Sequence, residues 1–525
     1  MNVLIAEPMA QAGIELFQSQ KDWNVIVSNP KEYSKHLGDA EALVVRSAVQ
    51  VTPDVLKKAP KLRVIGRAGV GVDNVDLPAA TAAGVLVMNT PGGNAVSVAE
   101  HTIALMLSMA RSIPQASAST RAGKWEKKKF LGSELRGKTL GIMGLGSIGR
   151  EVVKRARAFE MRILAHDPYV TPQIAKDLGI ELVGLPELYR HSDYITIHVS
   201  LTPETDKILN KDAFAQMKQG VRIVNCARGE LIDEGALKEA IETGKVGGAA
   251  LDVFGKEPTD ATFPLFPFEN VIATPHIGGS TEEAQEIVGV RIAEQMVEYL
   301  VNGVAINAVN MPSLSPDQYK AAAPYIDLAE KLGNFAAHLI TGNPTTIRLT
   351  YSGRIADMNT SLLRNAGLAG VLNRSSATKA NVVNAMSIAA ERGWNVAEVH
   401  DKRTGHSDSI RLEIETDASV TTVEGAVVLG KPRLMHVDGI YCEAPLAGPL
   451  VCMKNLDVPG VIGHVGTILG SNRINIANFS LGRRDSGEPL EAIAVVSTDT
   501  LVPQEVLDQL MSNPAVKIAR SVAIG

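Results

Sequence analysis

Eleven short apolar runs recur through the first 275 residues, and each is continuous rather than alternating: NVLIA, NVIVS, ALVVR, LRVIG and VLVMN, then TLGIMG, RILAHD, YITIHV, VRIVNCA, GGAALDV and NVIATP. A strand that is apolar on both sides has to be covered on both faces, which a parallel sheet between two layers of helix provides. Helical patterns separate most of the runs. This part of the chain is therefore expected to form two doubly wound, Rossmann-like parallel α/β units.

The remaining pattern divides the chain further. A helical stretch from Ser97 to about Ala122 leads from the first series to the second, and a helix from about Thr281 to Asn302 is expected to return to the first unit. That predicts a discontinuous N-terminal domain, residues 1–96 with 282–306, around a dinucleotide-binding domain at 97–281. The segment Asn307–Gln318, with Pro312 and Pro316, reads as a linker. Mixed helix and strand patterns predict an α+β domain at 318–445. After a second break near Glu443–Pro449, the order strand, helix, strand, strand, helix, strand at 449–525 is that of the ferredoxin-like βαββαβ unit.

With aromatics at only 4%, the cores of these units have to be built from Val, Ile, Leu, Ala and Met. A net charge of -5 gives no electrostatic reason to expect nucleic-acid binding. Cys226, Cys442 and Cys452 lack disulfide-framework or metal-ligand spacing, so no metal is expected and a reducing, cytoplasmic setting fits. The start, MNVLIAEPMA, reads as a strand rather than a signal peptide, and no apolar stretch reaches the roughly 18 residues of a membrane span.

The run Gly144-Leu145-Gly146-Ser147-Ile148-Gly149 directly follows the strand-like KTLGIM and opens the helical SIGREVVKRARAF. In that setting the spacing is a dinucleotide fingerprint. Gly144 permits the tight turn, Gly146 lets the backbone approach a pyrophosphate, and Gly149 allows close packing of helix on strand. The helix start, at Ser147 and Ile148, offers unpaired N–H groups to phosphate oxygens. Asp167 ends the next apolar run, where a carboxylate accepts hydrogen bonds from ribose hydroxyls and repels a 2′-phosphate. Pro168 and Tyr169 follow, with no Arg or Lys, so the expected cofactor is NAD rather than NADP.

Three further segments, Asn225–Glu230, Leu251–Pro258 and Thr274–Gly279, lie at the ends of apolar runs, and in open α/β sheets ligands bind at the carboxyl ends of strands. Arg228, Glu257 and His276 could therefore converge beside the cofactor. Taken singly, each has a plain alternative: a surface charge, a solvated loop acid and a structural histidine.

Residues from about 40 to 300 resemble the D-isomer-specific 2-hydroxyacid dehydrogenases, with these three segments as that family's signature. The resemblance implies that His276 is the acid/base on the C2 oxygen. It implies that Glu257 holds the ring and favours its protonated form, and that Arg228 grips the substrate carboxylate in a fork. It further implies cofactor contacts at Val70, Val199, Cys226, Ala227, Arg228, Asp252, His276, Gly278 and Gly279. Arg67–Asp76 and Asn89–Asn94 are typical of the superfamily, although position 70, here Val, is often Thr in related enzymes, which puts a minor cofactor contact in doubt.

The stretch Gly123–Gly132 and the two C-terminal domains are similar to the long-form branch of the family, whose substrate is 3-phosphoglycerate. In that branch Arg46, Ser47, Arg67 and Asn94 would line the substrate pocket. Lys127, in the basic segment Lys127–Lys129, would reach the substrate phosphate from a neighbouring subunit, or else belong to a solvated basic loop. The C-terminal unit, with Asn455–Gly460 before a helix and Ile474–Ala477 on the next strand, resembles an ACT domain. That implies L-serine as effector, with Asn455, Asp457 and Asn475 as ligands, and edge-to-edge pairing in a homodimer or homotetramer; a dimerisation module without a ligand is the alternative. Two other functions stay open: a glyoxylate or hydroxypyruvate reductase, and a corepressor-like, NADH-sensing binding protein.

Overall fold

The first five apolar runs form the strands Asn2–Ile5, Asn24–Val27, Ala42–Val45, Val64–Arg67 and Leu86–Met88 of one parallel sheet. The second strand lies outermost beside the first, and the third to fifth follow on the other side, so the chain winds outward in both directions. Ala42–Val45, in the centre, is buried at every position. The computed structural model describes residues 1–374, 379–402, 407–484 and 490–525. Helix Glu282–Asn302 packs Val288, Ile292, Ala293, Met296 and Leu300 into the core on one face of this sheet.

The next six runs form a second parallel sheet, joined by a two-residue strand, Glu181–Leu182, that no apolar run announces. Thr139–Met143 lies between Arg162–His166 and Tyr194–Ile197. The strand order reverses there, which opens a crevice at the carboxyl ends of these strands. The helical stretch expected from Ser97 is two helices, Ala95–Arg111 and Ile113–Arg121. Ser112 between them adopts φ +47°, and Pro114 in the next turn lacks the N–H that a continuous helix would use. The first of the two helices is amphipathic and buries Val98, Ala99, Ile103, Met106 and Met109 against the second sheet.

The segment read as a linker is docked along part of its length. Val309 N–H donates to the Val87 carbonyl at 2.8 Å, and Asn310 both accepts from Val87 N–H (2.8 Å) and donates to the Val85 carbonyl (2.9 Å), so residues 308–310 extend the edge of the first sheet. Beyond it, a six-stranded mixed sheet is covered by helices Pro316–Leu339 and Ser361–Leu372. Its strand Asn395–Asp401 is an edge strand without a fully buried residue, so it shows no apolar alternation to read. Strand Ile440–Pro445 runs through the expected second break, and only the buried Leu446 and the exposed Ala447 separate it from Gly448–Leu456. The last unit is an antiparallel four-stranded sheet with helices Val461–Ser471 and Gln504–Met511, connected βαββαβ. Among the described residues no helix is long and apolar enough to cross a membrane.

The two helices of the mixed domain meet backbone to backbone. A Cβ on Gly370 would stand 2.1 Å from the Glu330 carbonyl oxygen, and one on Gly333 would stand 2.1 Å from that of Gly367. Ala ordinarily favours a helix over Gly by about 1 kcal/mol. Here the added methyl has to push the helices apart, at a cost of about 1–3 kcal/mol. Gly370→Ala is expected to lower the denaturant midpoint of this domain, and a raised midpoint would show that the helices are free to separate.

Candidate active site

The glycine loop stands at the switch point. Gly144 adopts φ +95°, and a Cβ there would lie 2.6 Å from the His198 carbonyl oxygen, while a Cβ on Gly149 would lie 2.1 Å from that of Gly144. Nothing lies within 4 Å of a Cβ built on Gly146, so its backbone faces open space at the start of helix Ser147–Ala158. Asp167 is tied to this loop: its Oδ2 accepts from Leu145 N–H at 2.8 Å and its Oδ1 from Tyr169 N–H at 2.9 Å. A tight turn, an uncovered backbone and an acid beside the loop fit the pyrophosphate and ribose of a dinucleotide.

At the end of the second sheet the chain turns through His276 with φ +54°, a conformation L residues avoid. Asp252 holds it there. The Asp252 carbonyl accepts from His276 N–H at 2.9 Å, and its buried carboxylate accepts from Thr274 Oγ1 (2.6 Å), Ile277 N–H (2.9 Å) and Gly278 N–H (2.8 Å). Burial opposes ionisation of Asp252, but His101, Thr274 and these two N–H groups outweigh it and lower its pKa. His276 Nδ1 then meets Glu257 Oε2 at 2.7 Å, and Glu257 Oε1 accepts from Phe254 N–H at 3.0 Å. The Glu257 hydrogen bond raises the imidazole pKa against the opposing effect of burial. Burial likewise disfavours the charged form of Glu257, yet His276 and the Phe254 N–H bring its pKa below the ordinary value.

Two cavities meet at this pair. One, of about 470 Å³, is lined by Val70, Gly146, Ser147, Ile148, Val199, Cys226, Ala227, Arg228, Asp252 and Gly278. The other, of about 600 Å³, includes Arg46, Ser47, Gln50, Phe254, Glu257 and Gln285. Arg67, Asn94, His276 and Gly279 line both. Asn94 has a buried Oδ1 without a protein partner, and Arg67 a buried Nε in the same condition. Burial lowers the Arg67 pKa, and the neighbouring Arg228 cation adds to that. Glu7, buried beneath the second cavity, accepts from the N–H groups of Arg46, Ala48 and Val49 and so fixes the loop that carries Arg46 and Ser47.

Four candidates for the cleft stand apart from these walls. Gly144, Gly149 and Asp167 belong to the turn behind the first cavity rather than to its lining. Lys127 is exposed and lines neither cavity. In the C-terminal unit, Asn455 and Asp457 share a cavity of about 350 Å³ with Arg483, but Asn475 does not. Asn475 lies at the far end of the strand that carries Arg483, eight residues and roughly 26 Å away at the usual rise, and donates to Asp499 at 3.0 Å.

Sequence reasoning also missed His198, a half-buried residue lining the first cavity, where desolvation pushes its pKa down to about 4 and keeps it neutral. Its position at the end of the run YITIHV was the available signal. The Cys226 thiol, pushed up to about 12 by burial, is inert.

The ring of His276 should titrate above an ordinary histidine, because the Glu257 carboxylate stabilises imidazolium. Glu257→Gln removes that charge, so the pKa read by NMR on the ring should fall towards or below about 6.5. An unchanged titration would show that the pair does not form in solution.

With this geometry in view, three family descriptions match the chain: the NAD-binding domain of D-isomer specific 2-hydroxyacid dehydrogenases at residues 103–278, the D-3-phosphoglycerate dehydrogenase intervening domain at 321–438, and the ACT domain at 453–515. The chain is 43% identical to a D-3-phosphoglycerate dehydrogenase of Methanocaldococcus jannaschii over 98% of both chains. It is 39% identical to that of Bacillus subtilis over 98% of this chain and 97% of the other. Among solved structures, an NAD-dependent formate dehydrogenase from Staphylococcus aureus in complex with NAD is similar at 29% identity and TM-score 0.53, covering 60% of this chain and all of the other. The chain belongs to the D-3-phosphoglycerate dehydrogenase family of NAD-dependent D-2-hydroxyacid dehydrogenases.

Proposed function

We propose that the chain oxidises 3-phospho-D-glycerate to 3-phosphohydroxypyruvate, the first step of L-serine biosynthesis, at the junction of the two cavities. The observation that carries this reading is the His276–Glu257 pair at 2.7 Å, set where both cavities meet and opposite a cluster of guanidinium groups. Bound NAD supplies a hydride acceptor. His276 takes the C2 hydroxyl proton as the hydride leaves C2, so a proton and a hydride together convert the alcohol to the ketone. Glu257 stabilises the resulting imidazolium and orients the ring through Nδ1, leaving Nε2 for the substrate. Arg228 forks the carboxylate, and Arg46, Ser47 and Arg67 supply donors to the rest of the substrate, its phosphate included. A reductase for smaller hydroxy acids has no evident use for this many cations or for the two C-terminal domains.

The ACT unit reads as an amino-acid sensor. A zwitterion needs an acid for its ammonium and a cation for its carboxylate, and Asp457 and Arg483 stand 3.3 Å apart in a cavity that also holds the unpaired Oδ1 of the buried Asn455. We also read the chain as a homo-oligomer of a reducing, cytoplasmic setting. Helix Ile113–Arg121 buries no residue, and Trp125 and Leu131 beside it are 86% and 93% exposed, which supports a covering copy. The free thiols of Cys226, Cys442 and Cys452 suit a reducing compartment.

His276→Ala is expected to lower kcat by about 10²- to 10⁴-fold while NADH binding persists. A variant within threefold of wild type would refute the acid/base assignment. For regulation, millimolar L-serine should inhibit the full-length enzyme with a coupling of about 1–3 kcal/mol. Asp457→Ala should raise the half-inhibitory concentration without moving the KM for 3-phosphoglycerate. If serine neither inhibits nor registers in calorimetry, the unit is an assembly module.

A further inference from the structure

The guanidinium assigned to the substrate carboxylate already holds a carboxylate of the chain itself. Asp73 stands on the loop after strand Val64–Arg67 of the first sheet, and Arg228 stands on the loop after strand Val221–Asn225 of the second; Asp73 Oδ2 and Arg228 Nη2 are 2.8 Å apart across the cleft. The first loop is fixed so as to present this acid. Its buried Asn74 donates to the carbonyls of Arg46 (2.8 Å) and Val49 (2.7 Å), and Val75 pairs with Val51. Residue 71 has no side chain, and a Cβ there would fall 2.0 Å from Arg228 Nη2. Arg228 Nη1 donates to the Ala227 carbonyl at 2.6 Å, so the edge turned towards Asp73 is the one left for a ligand. The Asp73 side chain is 68% exposed, which lets it swing into water at small cost.

We infer that Asp73 is an intramolecular stand-in for the substrate carboxylate, holding Arg228 across the cleft until a 2-hydroxy acid displaces it. The inference rests on the assignment of Arg228 to the substrate carboxylate. Asp73 is then a positioning residue: it screens Arg67 from Arg228 and ties the two sheets together, and it sets affinity rather than chemistry. Exposed ion pairs are weak, so the competition amounts to about two- to fivefold in substrate affinity.

The test is steady-state kinetics on full-length Asp73→Asn, Arg228→Gln and the double variant, with calorimetry of NADH. Asp73→Asn is expected to lower the KM for 3-phosphoglycerate two- to fivefold and raise kcat/KM in step, with no change in NADH affinity. A residue that merely supported the loop would lower kcat/KM instead. Arg228→Gln should lose at least tenfold in kcat/KM, and adding Asp73→Asn to it should change nothing further. If Asp73→Asn leaves KM unchanged or raises it while Arg228→Gln shows its loss, the inference falls and the Arg228 reading stands. An equal gain in NADH affinity would mark a general charge effect and also overturn it. Wild-type kcat/KM in Arg228→Gln would overturn the Arg228 reading and the inference with it.

Discussion

The buried carboxylate of Asp252 is the interaction on which the cleft depends. A histidine at φ +54° costs of order 1 kcal/mol or more in backbone strain and persists only where its surroundings hold it. Asp252 does so with its carbonyl and both carboxylate oxygens, which accept from three consecutive residues, His276, Ile277 and Gly278, and from Thr274. Thr274, Ile277 and Gly278, with His101 beside them, offset the cost of burying the carboxylate, which an unpaired one could not sustain. Because the loop is held, the imidazole projects towards Glu257, and the hydrogen-bonded pair forms.

A second constraint is electrostatic. Arg46, Arg67 and Arg228 line the cleft, with the buried Glu7, the exposed Asp73 and Glu257 among the carboxylates near them. Burial and mutual repulsion weaken the hold of Arg67 on its proton, so a ligand carrying several negative charges relieves strain already present in the protein. Binding energy of that origin is available to hold an anionic ligand beside the imidazole, a form of preorganisation.

The tail is joined to this machinery by contacts rather than by a free tether. Residues 308–310 extend the first sheet, and Asn381 of the mixed domain donates to the Gly84 carbonyl at 2.8 Å, just beyond helix Leu77–Ala82 and the Asp73 loop that precedes it. The cavity of Asn455, Asp457 and Arg483, by contrast, lies within the last unit.

The sequence by itself determined the two parallel sheets, the glycine turn and the cofactor class, because each is local. Continuous apolar runs dictate strands covered on both faces, and Gly144–Gly149 with Asp167 specify a turn and an acid within some 25 residues of chain. The signature loops were legible too, but only as segments. That His276 and Glu257 share a hydrogen bond, that Asp252 strains the loop and that Arg228 is held by Asp73 depend on crossover connections bringing strand ends together. The edge strand Asn395–Asp401 carries no apolar alternation to read, and the resemblance that joins Asn475 to Asp457 does not show that Asn475 lies a strand's length from Arg483, the partner of Asp457. Tertiary structure decided these points for one physical reason. Charges act over a few ångströms of space, and the chain order records which residues are near in sequence rather than which are near in the fold.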